Sequence, residues 1–252
     1  MSATEMQCVI LAGGLGTRMK SSVPDTAKSM ILVAGKPFIA WQLEWLGAQG
    51  IGDVVLSIGY KGEQIRSYVN DGQRFDLRVR YVDEGDRLLG TAGALRLASN
   101  ASALGDQFFV LYGDSYLDVS LASVWSHFGR QEREALMTVY RNNNVGEVSN
   151  AVFDGTLVTR YVKNCSQPPN DMVFVDYGLL VLSRSLIEDH VAPDVEADLS
   201  KLLETLSADG NLAGYEATAR FFEIGSPEGL DALERELRSR SSNADRAGVD
   251  DR

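Results

Sequence analysis

The stretch Gln7-Cys8-Val9-Ile10-Leu11-Ala12-Gly13-Gly14-Leu15-Gly16-Thr17-Arg18 decides how the rest of the chain is read. Gln7 to Leu11 is a short, largely apolar run free of turn residues, the pattern of a buried strand. Glycines at 13, 14 and 16 follow at once. Glycines this dense let the backbone turn tightly and aim N–H groups at a ligand with no Cβ in the way. In an open α/β sheet, the C-terminal edge of the strands is where ligands bind. Two familiar phosphate loops fail on spacing. A G-x-G-x-x-G fingerprint starting at Gly14 would need a third glycine where Met19 stands, and Gly35-Lys36 is followed by Pro37 rather than Ser or Thr. What remains is G-G-x-G-T-R with Lys28 downstream. Residues 1–40 carry Arg18, Lys20, Lys28 and Lys36 against only Glu5 and Asp25. A locally basic segment on an acidic body suits a small polyanion such as a nucleotide.

Outward from that loop, short apolar runs alternate with amphipathic stretches, the signature of βαβ units. Strands are predicted at Asp53–Ile58, Leu77–Tyr81 and Gln107–Tyr112, with helices at Pro37–Gln49, Gly62–Asn70 and Thr91–Ser99. Later come strands at Ala135–Tyr140, Val152–Lys163 and Val173–Leu182, and a helix at Asp198–Ser207. Short strands near Tyr215 and Phe221 precede a closing helix from about Ser226. The predicted organisation is a single domain over residues 1–238 with a polar, frayed tail over 239–252. His127, near Val124, Trp125 and Phe128, reads as a half-buried helical histidine. Cys8 reads as a small core residue, and Trp41 and Trp45 as one apolar helix face.

Composition narrows the function classes. The chain has 252 residues, 44% of them apolar and 23% charged, with a formal net charge of -11. Such an acidic protein is poorly suited to sequence-independent nucleic-acid binding. No apolar run approaches the ~18 residues that span a bilayer, and Met1 to Gln7 lacks the basic and apolar regions of a secretory signal. Two cysteines and two histidines leave little for a disulfide framework, a zinc site or a Ser-His-Asp triad. The expectation is a cytoplasmic protein with neither nucleic acid nor membrane among its partners. Homo-oligomer formation stays open.

Leu11-Ala12-Gly13-Gly14-Leu15-Gly16-Thr17-Arg18 with Lys28 resembles the signature of the sugar-1-phosphate nucleotidyltransferases. Three more segments resemble that family's motifs, in order: LLGTAGAL at 88–95, VLYGDSYLD at 110–118 and FFEIGSPEGL at 221–230. The stretch GGLGTRMKSSVPDTAKSM is most similar to bacterial enzymes that guanylylate heptose-1-phosphate-type sugars. The resemblance implies a Rossmann-like α/β fold, with a mixed, mostly parallel sheet flanked by helices and without the C-terminal β-helix of longer members. It implies transfer of a nucleoside monophosphate from an NTP, with GTP favoured, to a sugar 1-phosphate. A uridylyl-, thymidylyl- or cytidylyltransferase, or a non-catalytic nucleotide-sugar sensor, is the alternative.

The nucleophile of such a reaction is already an anion, so alignment and charge neutralisation carry it rather than a strong base. That suits a chain poor in histidine. By resemblance, Asp114 and Glu223 are ligands of Mg²⁺, with Mn²⁺ an alternative. Both are hard cations that take one or two carboxylates alongside phosphate oxygens, and Glu223 is one methylene longer than the family's usual Asp. Arg18 is assigned to the leaving phosphates and Lys28 to phosphates at the reaction centre. Leu11, Ala12, Gly13, Gly14, Gly16, Thr17, Gly90 and Thr91 are assigned to the nucleotide. Thr91 alternatively reads as a helix cap. Lys163 aligns with a lysine that grips the sugar phosphate, but Val162 and Asn164 replace its usual Glu and Pro neighbours, hinting at an altered acceptor. Asn150, Asp176 and Tyr177 stand where acceptor contacts are expected.

Overall fold

In a computed structural model, residues 6–14, 25–144 and 147–247 are described, the last seven by backbone alone. β1 (Gln7–Leu11) lies at the middle of the main sheet. After the loop come a small hairpin of β2 (Leu32–Val33) and β3 (Lys36–Pro37), helix α1 (Phe38–Ala48), β4 (Asp53–Ile58) and α2 (Gly62–Val69). β5 (Arg78–Asp83), α3 (Gly90–Asn100) and β6 (Gln107–Tyr112) complete the first half. β1 pairs in parallel with β4 on one side and β6 on the other, and β4 pairs in parallel with β5.

The second half opens with β7 (Ser115–Tyr116), α4 (Leu121–Phe128) and β8 (Ala135–Arg141). β9 (Ala151–Phe153), β10 (Val158–Tyr161), β11 (Phe174–Ser183), α5 (Arg184–His190) and α6 (Leu199–Ala208) follow, then β12 (Leu212–Ala217), β13 (Phe222–Glu223) and α7 (Pro227–Ala247). β11 runs antiparallel to both β6 and β8, and β12 pairs in parallel with β8. The sheet is therefore mixed, and parallel across its centre.

Period-2 alternation sorts the strands' side chains onto two faces. Cys8 and Ile10 join one core with Leu43, Ile65 and Val124, from α1, α2 and α4. Val9 points to the other face, with Leu95, Ile187 and Leu203 from α3, α5 and α6. Helices thus cover both faces, and this positions the C-terminal edge of β1 and β6 as an open rim. A third, smaller core joins the β2–β3 hairpin to α7 through Val33, Phe38, Ile224 and Leu233.

Three local expectations change. The stretch predicted as one strand over 152–163 is the hairpin β9–β10. Asp154 turns it, its carboxylate accepting from the N–H groups of Thr156 and Leu157, both at 2.8 Å, with Gly155 at φ +101°. That is the Asx turn an Asp-Gly pair favours. Helix α5 was not foreseen; the Ser183 hydroxyl caps it by accepting from Leu186 N–H at 3.2 Å. The backbone of α7 continues to Ala247, past the boundary expected at Ser239. Same-face pairs Glu234–Arg238 and Glu236–Arg240 support that extension. His127 is half-buried against the edge of Tyr215, and Cys8 is fully buried. Trp41 and Trp45 are half-buried and pack against different cores.

Candidate active site

Where β1 and β6 end side by side, the chain after β6 folds back across the end of β1. Gly113 N–H donates to Leu11 C=O at 3.1 Å. A Cβ on residue 113 would sit 2.4 Å from that same oxygen, so only glycine permits the crossing. The turn is then pinned from behind. The buried Gln42 carboxamide donates to the carbonyls of Tyr112 and Ser115, both at 2.9 Å, and the Ser29 hydroxyl donates to Gly113 C=O at 3.2 Å. Asp114, at the apex, is held at the rim of the sheet.

Glu223 arrives beside it through a different device. β13 pairs antiparallel with β7, setting Glu223 opposite Ser115, and Ile224 N–H donates to Asp114 C=O at 3.0 Å. A residue more than a hundred positions away is thereby fixed next to the Gly-Asp turn. Withdrawal from solvent, then the Asp114 charge, push the Glu223 carboxyl well above the ordinary carboxylate range. Lys28 Nζ makes an ion pair with Asp114. Two facing carboxylates of this kind form a hard-oxygen donor set whose repulsion a divalent cation would relieve, so the residues fit Mg²⁺. Among the described residues no three His, Cys, Asp or Glu side chains gather into a metal cage. A Mg²⁺ ion that keeps waters and phosphate oxygens needs none.

The rim opens into a cleft of about 460 Å³. Leu11, Ala12, Gly14, Lys28, Thr91, Asp114, Asn150, Lys163, Asp176 and Glu223 all line it. Three expected residues do not. Gly13 packs beside it, where a Cβ would meet Glu84 Oε1 at 2.5 Å. Gly90 has φ +71° and packs on Ala197, whose carbonyl oxygen a Cβ would meet at 2.6 Å. Tyr177 faces the opposite side of β11, fully buried in the core, where its hydroxyl accepts from Asp118 N–H at 3.1 Å. Successive side chains along a strand point to opposite faces, so Tyr177 points away from the side on which Asp176 lies. Thr91 is inside the first turn of α3 rather than its cap. Gly16, Thr17 and Arg18 lie outside the described residues.

The far end of the cleft exists because β11 changes neighbours. Its C-terminal half pairs with β6, while Phe174 pairs with Ala151 of β9. Asp176 sits in the gap between, with its register to β8 interrupted there as well. Tyr112 and Tyr161 each donate a hydroxyl to Asp176 Oδ2 at 3.3 Å, and Gly178 N–H donates to Oδ1 at 2.9 Å. Asn150 Oδ1 accepts the Asp176 N–H at 2.9 Å. Burial raises the Asp176 carboxyl above its ordinary range, and these donors offset it only in part. Lys163 Nζ donates to both oxygens of Asp198, at 3.1 and 3.0 Å.

Sequence reasoning missed Tyr112, Tyr161, Ser29, Glu147, Asn164 and Gly225, all of which line the cleft. Tyr112, Ser29 and Gly225 lie within the quoted motif segments and were within reach. Tyr161 had one available signal, its period-2 offset from Lys163; Glu147 had none. The cleft therefore brings together Lys28 with the carboxylates Asp114 and Glu223, and Lys163 with a polar wall of Asn150, Tyr161 and Asp176.

The MobA-like NTP transferase domain model matches residues 8–209. The chain is 37% identical over 119 residues to the D-glycero-alpha-D-manno-heptose 1-phosphate guanylyltransferase of Campylobacter jejuni, a match covering 47% of this chain and 52% of that relative. The enzyme of that name from Aneurinibacillus thermoaerophilus is 26% identical over 236 residues, covering 92% of this chain and 98% of its own length. A glucose-1-phosphate thymidylyltransferase of Streptomyces antibioticus is 38% identical over 113 residues, covering 44% of this chain and 31% of the relative. Two of these three matches thus span about half or less of the relative's length. Among solved structures, HddC from Yersinia pseudotuberculosis complexed with GMP-PN superposes with a TM-score of 0.77 at 26% identity, covering 92% of this chain and 99% of that one. The chain belongs to the MobA-like NTP transferase family.

Proposed function

We propose that this protein transfers GMP from GTP to a sugar 1-phosphate, releasing pyrophosphate and forming a GDP-sugar. The observation that carries the reading is that Lys28, Asp114, Glu223 and Lys163 all line one cleft. An oxygen of the sugar phosphate forms a bond to the α-phosphorus while the bond from that phosphorus to the α,β-bridging oxygen breaks, and pyrophosphate leaves. No proton need be removed from the nucleophile, so the protein's task is alignment and charge neutralisation.

Asp114 and Glu223 would hold Mg²⁺, or Mn²⁺ in its place. A bound cation would neutralise charge on the transferring phosphate and hold its oxygens. Lys28 exchanges its contact with Asp114 for a phosphate oxygen when nucleotide enters. Lys163 holds the acceptor phosphate. Arg18 is assigned to the leaving phosphates, and Gly16 and Thr17 to the nucleotide. Leu11, Ala12, Gly14 and Thr91 border the space for the nucleoside, while Asn150, Tyr161 and Asp176 border the acceptor.

Guanine is favoured because the match to heptose 1-phosphate guanylyltransferase extends over nearly the whole of both chains in the Aneurinibacillus protein, and because HddC was solved with GMP-PN. A thymidylyl- or uridylyltransferase is the second reading, supported by relatives with those names. No helix among the described residues is long and apolar enough to cross a membrane.

The test is a pyrophosphate-release screen with Mg²⁺, crossing GTP, UTP, dTTP, CTP and ATP with hexose, heptose and octose 1-phosphates. Release with GTP and a heptose phosphate is the expected result. Release with UTP or dTTP would replace the guanine assignment. Nucleotide-sugar binding without release on any pair would favour a sensor.

A further inference from the structure

Lys163 is held by α6 and its cap residue Asp198, and that cap also bonds Thr91, which lines the same cleft. Three residues along α6 and its cap reach the strand that carries the lysine. Ser207 Oγ accepts from Tyr161 N–H at 3.1 Å, and Glu204 Oε1 accepts from Lys163 N–H at 3.2 Å. Asp198, the N-cap residue, takes the ammonium itself with both carboxylate oxygens, at 3.1 and 3.0 Å. Alternate N–H groups of the chain leaving β10, and then the side chain, are thus read off by α6.

The same cap is locked onto the first turn of α3. Ala197 N–H donates to Leu89 C=O at 2.8 Å, and Ala197 C=O accepts from Ala92 and Gly93 at 2.9 and 3.2 Å. Leu199 N–H donates to the Thr91 hydroxyl at 2.8 Å, and that hydroxyl donates to Asp198 Oδ1 at 3.1 Å. Ser200 N–H adds a further donor to Asp198 Oδ1 at 3.0 Å. Withdrawal from solvent works against the Asp198 charge, yet the Ser200 and Lys163 bonds outweigh it and hold the carboxyl below its ordinary range. The carboxylate is thereby an anchor set by backbone and hydroxyl donors, while the lysine stem is the flexible partner.

We infer that Asp198 is the positioning residue of the acceptor site, orienting the Lys163 ammonium toward the acceptor phosphate and tying it to Thr91 at the nucleotide end. The inference rests on the reading of Lys163 as the acceptor-phosphate contact. An untethered lysine must be ordered each time a phosphate binds, at a cost in rotamer entropy. A lysine held by two oxygens of a fixed carboxylate keeps a remaining N–H for the ligand.

The test is Asp198→Asn, alone and combined with Lys163→Ala. Asn caps helices about as well as Asp and can still accept from Thr91 and Ser200, so the fold is kept; a thermal melt checks this. Binding is measured by calorimetry with α-mannose 1-phosphate and a heptose 1-phosphate on one side and GTP on the other. The expected result is that Asp198→Asn weakens sugar-phosphate binding about tenfold, the order of one charge-assisted hydrogen bond, with GTP affinity unchanged. In the Lys163→Ala background the same change should have no further effect. Unaltered sugar-phosphate affinity, equal losses for both ligands, or additive losses in the double variant would overturn the positioning role and leave the acceptor assignment of Lys163 standing. Wild-type protein that binds GTP but neither sugar phosphate would overturn that assignment, and the positioning role with it.

Discussion

The two ends of the cleft are built on different principles. At the end proposed for the nucleotide, the lining groups come from contiguous turns that leave parallel strands: Ala12 and Gly14 after β1, Gly113 and Asp114 after β6. Main-chain crossing and buried amide bonds from Gln42 set their positions. At the end proposed for the acceptor, Asn150, Tyr161, Lys163 and Asp176 come from three antiparallel strands and the turns beside them, and are held largely through the side chains of Asp176 and Asp198. A backbone-built end tolerates little change at its glycines. A side-chain-built end can be altered residue by residue, which is what a family that varies its sugar needs.

The largest effect should follow from removing charge at the backbone-built end. Asp114→Asn should reduce pyrophosphate release by about 10²- to 10³-fold while preserving the melting temperature, the scale seen when a fixed electrostatic contact to the transition state is lost. Turnover at the parent rate would remove Asp114 from the metal site. At the opposite end, Lys163→Ala should raise the acceptor KM by roughly ten- to a hundredfold, the value of a charge-assisted hydrogen bond, with the nucleotide KM little changed. Equal rises in both constants would mean the two ends do not divide the labour as described.

Smaller effects probe how the polar wall is held. Tyr161→Phe removes one of the hydroxyl donors to Asp176 and should cost about 1 kcal/mol of stability. Because Asp176 titrates above its ordinary range in the folded protein, its charge opposes folding increasingly as pH rises through that range. Losing a donor to the charged form raises the carboxyl further, so the deficit of the variant should grow from acid toward neutral pH in denaturant melts. A pH-independent deficit would show that the hydroxyl acts by packing alone. Tyr177→Phe should leave the acceptor KM unchanged and lower stability by about 1 kcal/mol, since Asp118 N–H loses its acceptor. A changed acceptor KM would put Tyr177 back in the site.

What the sequence by itself determined was the alternation of the main strands and helices through β6, the Gly-rich loop after β1 and the Gly-Asp turn after β6. Each is a local pattern in which periodicity or a glycine has a direct physical consequence. Asp114, Glu223, Lys28 and Lys163 were legible because motifs carry them, and all four line one cleft. The β9–β10 hairpin was misread as one strand although Asp154-Gly155 marks its turn. What only the tertiary structure decided was which way Asp176 and Tyr177 face, and that Tyr112 and Tyr161 converge on one carboxylate. It also decided that Asp198, read from sequence as no more than a helix start, meets Lys163. Those outcomes depend on where β11 leaves β6 for β9 and on how α6 docks against α3. Both are set by packing between residues far apart in the chain, which no local spacing encodes.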